Sequence, residues 1–201
     1  MQHIFQQGHA NKPVLLLLHG TGGDENSLLA LADMIDAEAS LLSVRGNVLE
    51  NGMPRFFRRL AEGVFDMDDL EKRTAELKAF IDDAANKYSF NRERVIAIGY
   101  SNGANIAANL LFNYSDALAG AILHHPMVPN RAAKLPRHDE TPVFMAAGTN
   151  DPMCAPIEAT DLEAILRAAG VDVELTWENF GHQLTMSEVE KAKAWYGKKF
   201  N

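Results

Sequence analysis

A single cysteine, Cys154, stands in a chain of 201 residues, so no internal disulfide can form. That scarcity points to a reducing compartment. Long apolar runs are also missing. The longest clear one covers only residues 14–18, against the roughly 20 residues a membrane span requires. Positive charge is in deficit: 19 basic against 27 acidic residues leave a net charge of −8. This argues against a nucleic acid or an anionic membrane as partner. The opening stretch MQHIFQQGHANK has no basic segment leading into an apolar core, so no signal peptide is expected. Internal repeats and low-complexity segments are lacking too. The expectation is a soluble cytoplasmic protein forming one domain over residues 1–201. Its 47% apolar content is enough for a sizeable core.

What is present is a regular alternation. Residues 14–18 (VLLLL), 40–44, 95–99, 119–123, 142–147 and 172–177 read as short strands. Between them, residues 25–36, 68–88, 102–112, 157–169 and 187–200 read as helices. Asp24 is placed to cap the first helix, and Gly170 to close the fourth. Ser187 with Glu190 has capping-box spacing at the start of the last helix. Residues 45–66 have no clear period, yet they carry Phe56, Phe57 and Phe65, so an ordered loop packed on the body is expected. Alternating strands and helices predict the α/β class, a mostly parallel sheet covered on both faces. Sites in such sheets form at the carboxyl ends of the strands.

The residues just past the strands therefore carry the functional reading. In GYSNG, Gly99 and Gly103 flank Ser101 between a strand and a helix, the pattern of a nucleophile elbow. Small flanking residues let strand and helix approach and push the hydroxyl out of the sheet. A serine needs a base oriented by a third group, in the chain order serine, acid, histidine. Asp151 follows one strand within GTNDPMCAP, and His182 follows the last strand within ENFGHQLT. Each alone suits a turn or surface residue; together and in order they suit a triad. Backbone donors for an oxyanion are expected at Asn102, after the serine, and at Thr21 in the glycine-rich loop HGTGG, with Gly22 next. A phosphate-binding reading of that loop fails, because no Gly-Lys-Ser/Thr follows and Gly-x-Gly-x-x-Gly is incomplete. Gly22, Phe56, Phe57 and Met127 are assigned to the substrate pocket. The RFFRR run at residues 55–59 allows two readings, an anion or partner patch and a loop with its aromatics turned inward. His124 and His125 lack metal-site spacing, which favours a structural role over pocket lining. Cys154 has no elbow around it and is set aside as nucleophile.

In order along the chain, HGTGGDE, RGNVLENGMPRFFRR, GYSNGAN, GTNDPMCAP and FGHQL resemble the α/β-hydrolase fold. More closely they resemble the small phospholipase/carboxylesterase family. That family includes acyl-protein thioesterases and a bacterial carboxylesterase branch with hydrolases of hydroquinone and catechol resistance. The resemblance implies Ser101 as nucleophile, Asp151 as acid, His182 as base, and Thr21 and Asn102 as oxyanion donors. It implies a carboxylesterase that cleaves small-molecule esters through an acyl-enzyme, with no cofactor, no metal and no large lid domain. Thioesterase or lysophospholipase-type hydrolysis, or ligand binding without turnover, are the alternatives. A cysteine hydrolase of the dienelactone type would need cysteine at position 101, which holds serine. Hydrolases of this kind are often dimers, so a homodimer is an expected partner state.

Overall fold

The computed structural model describes residues 1–200. Its strands are β1 (His3–Gln6), β2 (Val14–Leu18), β3 (Ser40–Val44), β4 (Val48–Glu50), β5 (Met53–Arg55), β6 (Arg59–Ala61), β7 (Val64–Phe65), β8 (Val95–Tyr100), β9 (Gly120–His124), β10 (Pro142–Gly148) and β11 (Asp172–Glu178). Its α-helices are α1 (Leu29–Asp36), α2 (Met67–Tyr88), α3 (Asn102–Asn113), α4 (Pro156–Ala168) and α5 (Met186–Phe200). Seven strands form one sheet in the order β1-β3-β2-β8-β9-β10-β11. All neighbours pair in parallel except the edge strand β1, which runs antiparallel to β3.

The apolar runs explain the layers. Within β2 every residue is buried. Val14, Leu16 and Leu18 join the core beneath α2, α3 and α4, whereas Leu15 and Leu17 join the core beneath α1 and α5. A strand alternates its side chains between faces, so a sheet covered on both sides requires unbroken apolar runs. Strand order reverses at β2: the chain goes from β2 outward to β3, then crosses back to β8 on the other side. The crevice at the carboxyl ends of β2 and β8 is thus the topological switch point.

Four local readings are corrected. β1 was not anticipated, because four residues with two apolar side chains carry little periodic signal. Residues 45–66 are ordered as expected, but they hold two small hairpins, β4–β5 and β6–β7, in place of a single loop. The first turns at Asn51 and Gly52, both with positive φ (53° and 80°), the Asn-Gly signature of a tight hairpin. The capping box at Ser187 and Glu190 is absent. Thr185 Oγ1 instead accepts the Glu188 N–H at 3.2 Å, and the Ser187 hydroxyl donates to Glu178 at 2.8 Å. Asp24 likewise caps a turn, accepting the Asn26 N–H at 2.9 Å, and α1 starts only at Leu29.

Candidate active site

Ser101 sits between β8 and α3 with φ 52° and ψ −113°, a backbone conformation that glycine adopts far more readily than serine. The close approach that forces this turn is visible at its neighbours. A Cβ on Gly103 would lie 1.9 Å from the Leu18 carbonyl oxygen, and one on Gly99 would lie 2.7 Å from Ala104 Cα. The Ser101 N–H donates to the His124 carbonyl at 2.9 Å, anchoring the elbow to β9.

Asp151 and His182 come from the loops after β10 and β11, which are paired along their length. Asn150 Oδ1 accepts the Gly181 N–H at 2.8 Å and ties the two loops together. The Tyr100 hydroxyl donates to the His182 carbonyl at 2.7 Å. His182 Nε2 then lies 2.9 Å from Ser101 Oγ, and its Nδ1 lies 2.7 Å from Asp151 Oδ2. Residues 81 positions apart in sequence share a hydrogen bond here. Asp151 is buried, which works to raise its pKa. The His182 contact and the N–H groups of Cys154 and Met153 outweigh burial and hold the carboxyl below the usual range.

The loop after β2 closes the site. His19 is buried there, its Nδ1 2.6 Å from the Gly20 carbonyl and its Nε2 accepting the Gly46 N–H at 3.0 Å. Burial is the largest influence on its pKa and lowers it, which suits this neutral bonding pattern. The β4–β5 hairpin braces the same loop. Pro54 O accepts the Gly22 N–H at 2.9 Å, and Arg55 donates to Thr21 Oγ1 at 3.0 Å. Asn102 opens α3, so its N–H has no partner within the helix. Its side-chain Oδ1 accepts the Phe56 N–H at 2.7 Å.

A pocket opens at Ser101, lined among others by Thr21, Asn102, His182, Arg59, Phe65 and Met127. Three assignments to that pocket need correction. Phe56 and Phe57 are buried in the core beneath α2, and Gly22 has its N–H committed to Pro54 and does not line the pocket. The aromatic that reaches the pocket is Phe65, carried by the second hairpin and packed edge-on against Phe57 at 5.1 Å. Met127 does line it, its N–H held by Asn105 Oδ1 at 2.7 Å. Cys154 also lines the pocket, but burial pushes its thiol up to about 12, far from a reactive thiolate.

Sequence reasoning gave His125 only a structural role and missed Glu188. His125 packs behind Asp151, with Nδ1 3.1 Å from Asp151 Oδ2 and Nε2 3.0 Å from Glu188 Oε1. The only sequence signal for His125 was its place directly after a strand; Glu188, inside a helix, gave none. Ligand atoms of His125, Asp151 and His182 lie within 4.8 Å of one another, close enough for a metal ion. All four ring nitrogens already face hydrogen-bond partners, so the proximity is accounted for by a hydrogen-bonded array.

This fold and this site define an α/β hydrolase. The chain belongs to the dienelactone hydrolase family, whose pattern it matches over residues 47–197. It is 59% identical over 196 residues to MhqD of Bacillus subtilis (strain 168), covering 98% of each chain. Among solved structures it is similar to a Bacillus cereus carboxylesterase at 63% identity and a TM-score of 0.99, over 100% of this chain and 95% of that one. It is also similar to YahD, solved with malic acid, at 33% identity and a TM-score of 0.95, over 98% of both chains. No helix among the described residues is long and apolar enough to cross a membrane.

Proposed function

We propose that this protein is a serine carboxylesterase acting on small esters through the Ser101–His182–Asp151 triad. The observation that carries the reading is the unbroken contact from Ser101 Oγ to His182 Nε2 at 2.9 Å and from His182 Nδ1 to Asp151 at 2.7 Å. His182 Nε2 takes the hydroxyl proton as Ser101 Oγ attacks the ester carbonyl. The oxyanion that forms is held by the N–H groups of Thr21 and Asn102, at the start of α3, where the helix dipole adds to the attraction. Collapse breaks the C–O bond, and His182 hands its proton to the leaving alcohol. Water, deprotonated by His182, then attacks the acyl-enzyme and releases the acid. Asp151 holds the imidazole tautomer and stabilises the imidazolium. The steps balance without a cofactor or metal.

A carboxylesterase among the similar solved structures supports the ester as substrate. The pocket's mixed lining, with Phe65 and Met127 beside Arg59 and Asn105, suits a short acyl group with a polar partner. The test is intact mass after incubation with a fluorophosphonate, on wild type and Ser101→Ala, followed by turnover of short p-nitrophenyl esters. One adduct on the wild type alone, with ester turnover abolished in Ser101→Ala, is expected. A folded wild type that takes no adduct would overturn the reading and favour ligand binding without turnover.

A further inference from the structure

Behind the triad lies a second line of ionisable groups that the hydrolytic steps above do not use. His125 follows β9 with φ 53° and is 1% exposed. Its Nε2 faces Glu188 Oε1 at 3.0 Å, and its Nδ1 faces Asp151 Oδ2 at 3.1 Å. A neutral imidazole has one N–H and one lone pair. With a carboxylate oxygen at each nitrogen, the lone pair of a neutral ring would point at negative charge. The geometry is satisfied when both nitrogens donate, which makes the ring a cation. Glu188 is 0% exposed, so its carboxylate in turn needs a cation beside it.

The shared oxygen ties this pair to catalysis. Asp151 Oδ2 receives both His182 Nδ1 and His125 Nδ1, while Oδ1 accepts the N–H groups of Met153 at 2.8 Å and Cys154 at 2.9 Å. Every direction of the carboxylate is thereby held. The His125 and His182 rings lie 5.0 Å apart, so the charge of one acts on the other.

We infer that Glu188 and His125 form a buried ion pair that fixes Asp151 against His182 and sets the charge His182 faces, making both positioning residues for hydrolysis. The inference rests on the triad reading above. Other groups facing His125 fit this role. His124 Nδ1 lies 3.4 Å from Glu188 Oε2, in a ring where burial is the largest influence and favours the neutral form. The Tyr100 ring stands edge-on to His125 at 6.0 Å, and the Cys154 thiol donates to the His125 carbonyl at 3.6 Å. Burial works against a charged His125, and Glu188 and Asp151 outweigh it.

The experiment compares pH profiles of p-nitrophenyl acetate hydrolysis for wild type, His125→Gln and Glu188→Gln, each checked for folding by circular dichroism. The expected result is a kcat lower by about 10- to 100-fold with KM little changed, the range for residues that orient a catalytic group. Losing the cation makes protonation of His182 easier, so the acid limb of kcat/KM moves upward by about half to one pH unit. Folded variants whose acid limb stays in place would overturn the inference and leave only a packing role. A second measurement reads the charge itself. In ¹⁵N-histidine spectra of wild type, the ring whose signals are missing from His125→Gln should stay doubly protonated above the pH at which free histidine titrates. A neutral ring there overturns the ion pair whatever the variants do. A wild type inert to esters and to the phosphonate would strike at the hydrolase reading instead, and the ring spectrum would still decide the pair.

Discussion

Ser101 holds a backbone conformation with φ 52° and ψ −113°, and strain of this kind costs on the order of 1–3 kcal/mol. The elbow keeps it because the strand and helix around it leave no other path. Ser101→Gly should therefore be the more stable protein, by about 1 kcal/mol, and inactive. Its thermal midpoint should rise by about 2–4 °C, the shift expected for a chain of this length. An unchanged or lower midpoint in calorimetry would show that the elbow is not strained. At this scale the positions of Ser101, Asp151 and His182 were legible, because each falls in the short loop after a strand and their chain order fits a serine, an acid and a histidine. The fate of Phe56 and Phe57 was not legible. Both neighbours in the chain turn into the core, because the first hairpin ends at Arg55, whose guanidinium is itself buried against Phe57 O, Thr21 and Glu50.

The contact between β8 and α3 decides how far Ser101 projects from the sheet. Gly103 sits against the Leu18 carbonyl of β2 with no room for a methyl group. Gly103→Ala should push α3 away from the sheet and destabilise the fold by about 1–3 kcal/mol or more, the range for overpacking. A fall in the urea midpoint at constant slope would show this. An undiminished midpoint would mean that the elbow relaxes at little cost. Most strands and helices were legible within a residue or two, since five-residue apolar runs and helical stripes report local burial. The hairpins were hidden because strands of two or three residues cannot establish a period. The Asn51-Gly52 turn was their one local mark. α5 starts at Met186, one residue earlier than its pattern suggests, because the Thr185 hydroxyl serves as its cap.

Across the whole molecule, the buried Glu188 carboxyl couples stability to pH. Burial works to raise its pKa, but His124 and His125 outweigh that and hold it at about 2, against an ordinary value of 4.5. Its contribution is therefore complete above about pH 4.5 and lost as pH falls towards 2. His125 is raised from 6.5, so its contribution is complete below 6.5 and lost as pH rises through the folded value. The thermal advantage of wild type over Glu188→Gln should be widest between about pH 4.5 and 6.5 and narrow on both sides. A gap that does not vary with pH in thermal melts would mean the pair is not ionised. The α/β class, the order of Ser101, Asp151 and His182 and the sharp turn at the serine were determined by the sequence alone. Each depends on short-range constraints, namely apolar runs, glycines beside a serine, and polar residues at strand ends. Only the tertiary structure decided that Glu188 meets His125 across 63 residues. It also decided that the β4–β5 hairpin braces the loop after β2 and that Phe65 rather than Phe56 reaches the pocket. These contacts depend on where the twisted sheet carries α5 and the hairpins, a position that no local pattern encodes.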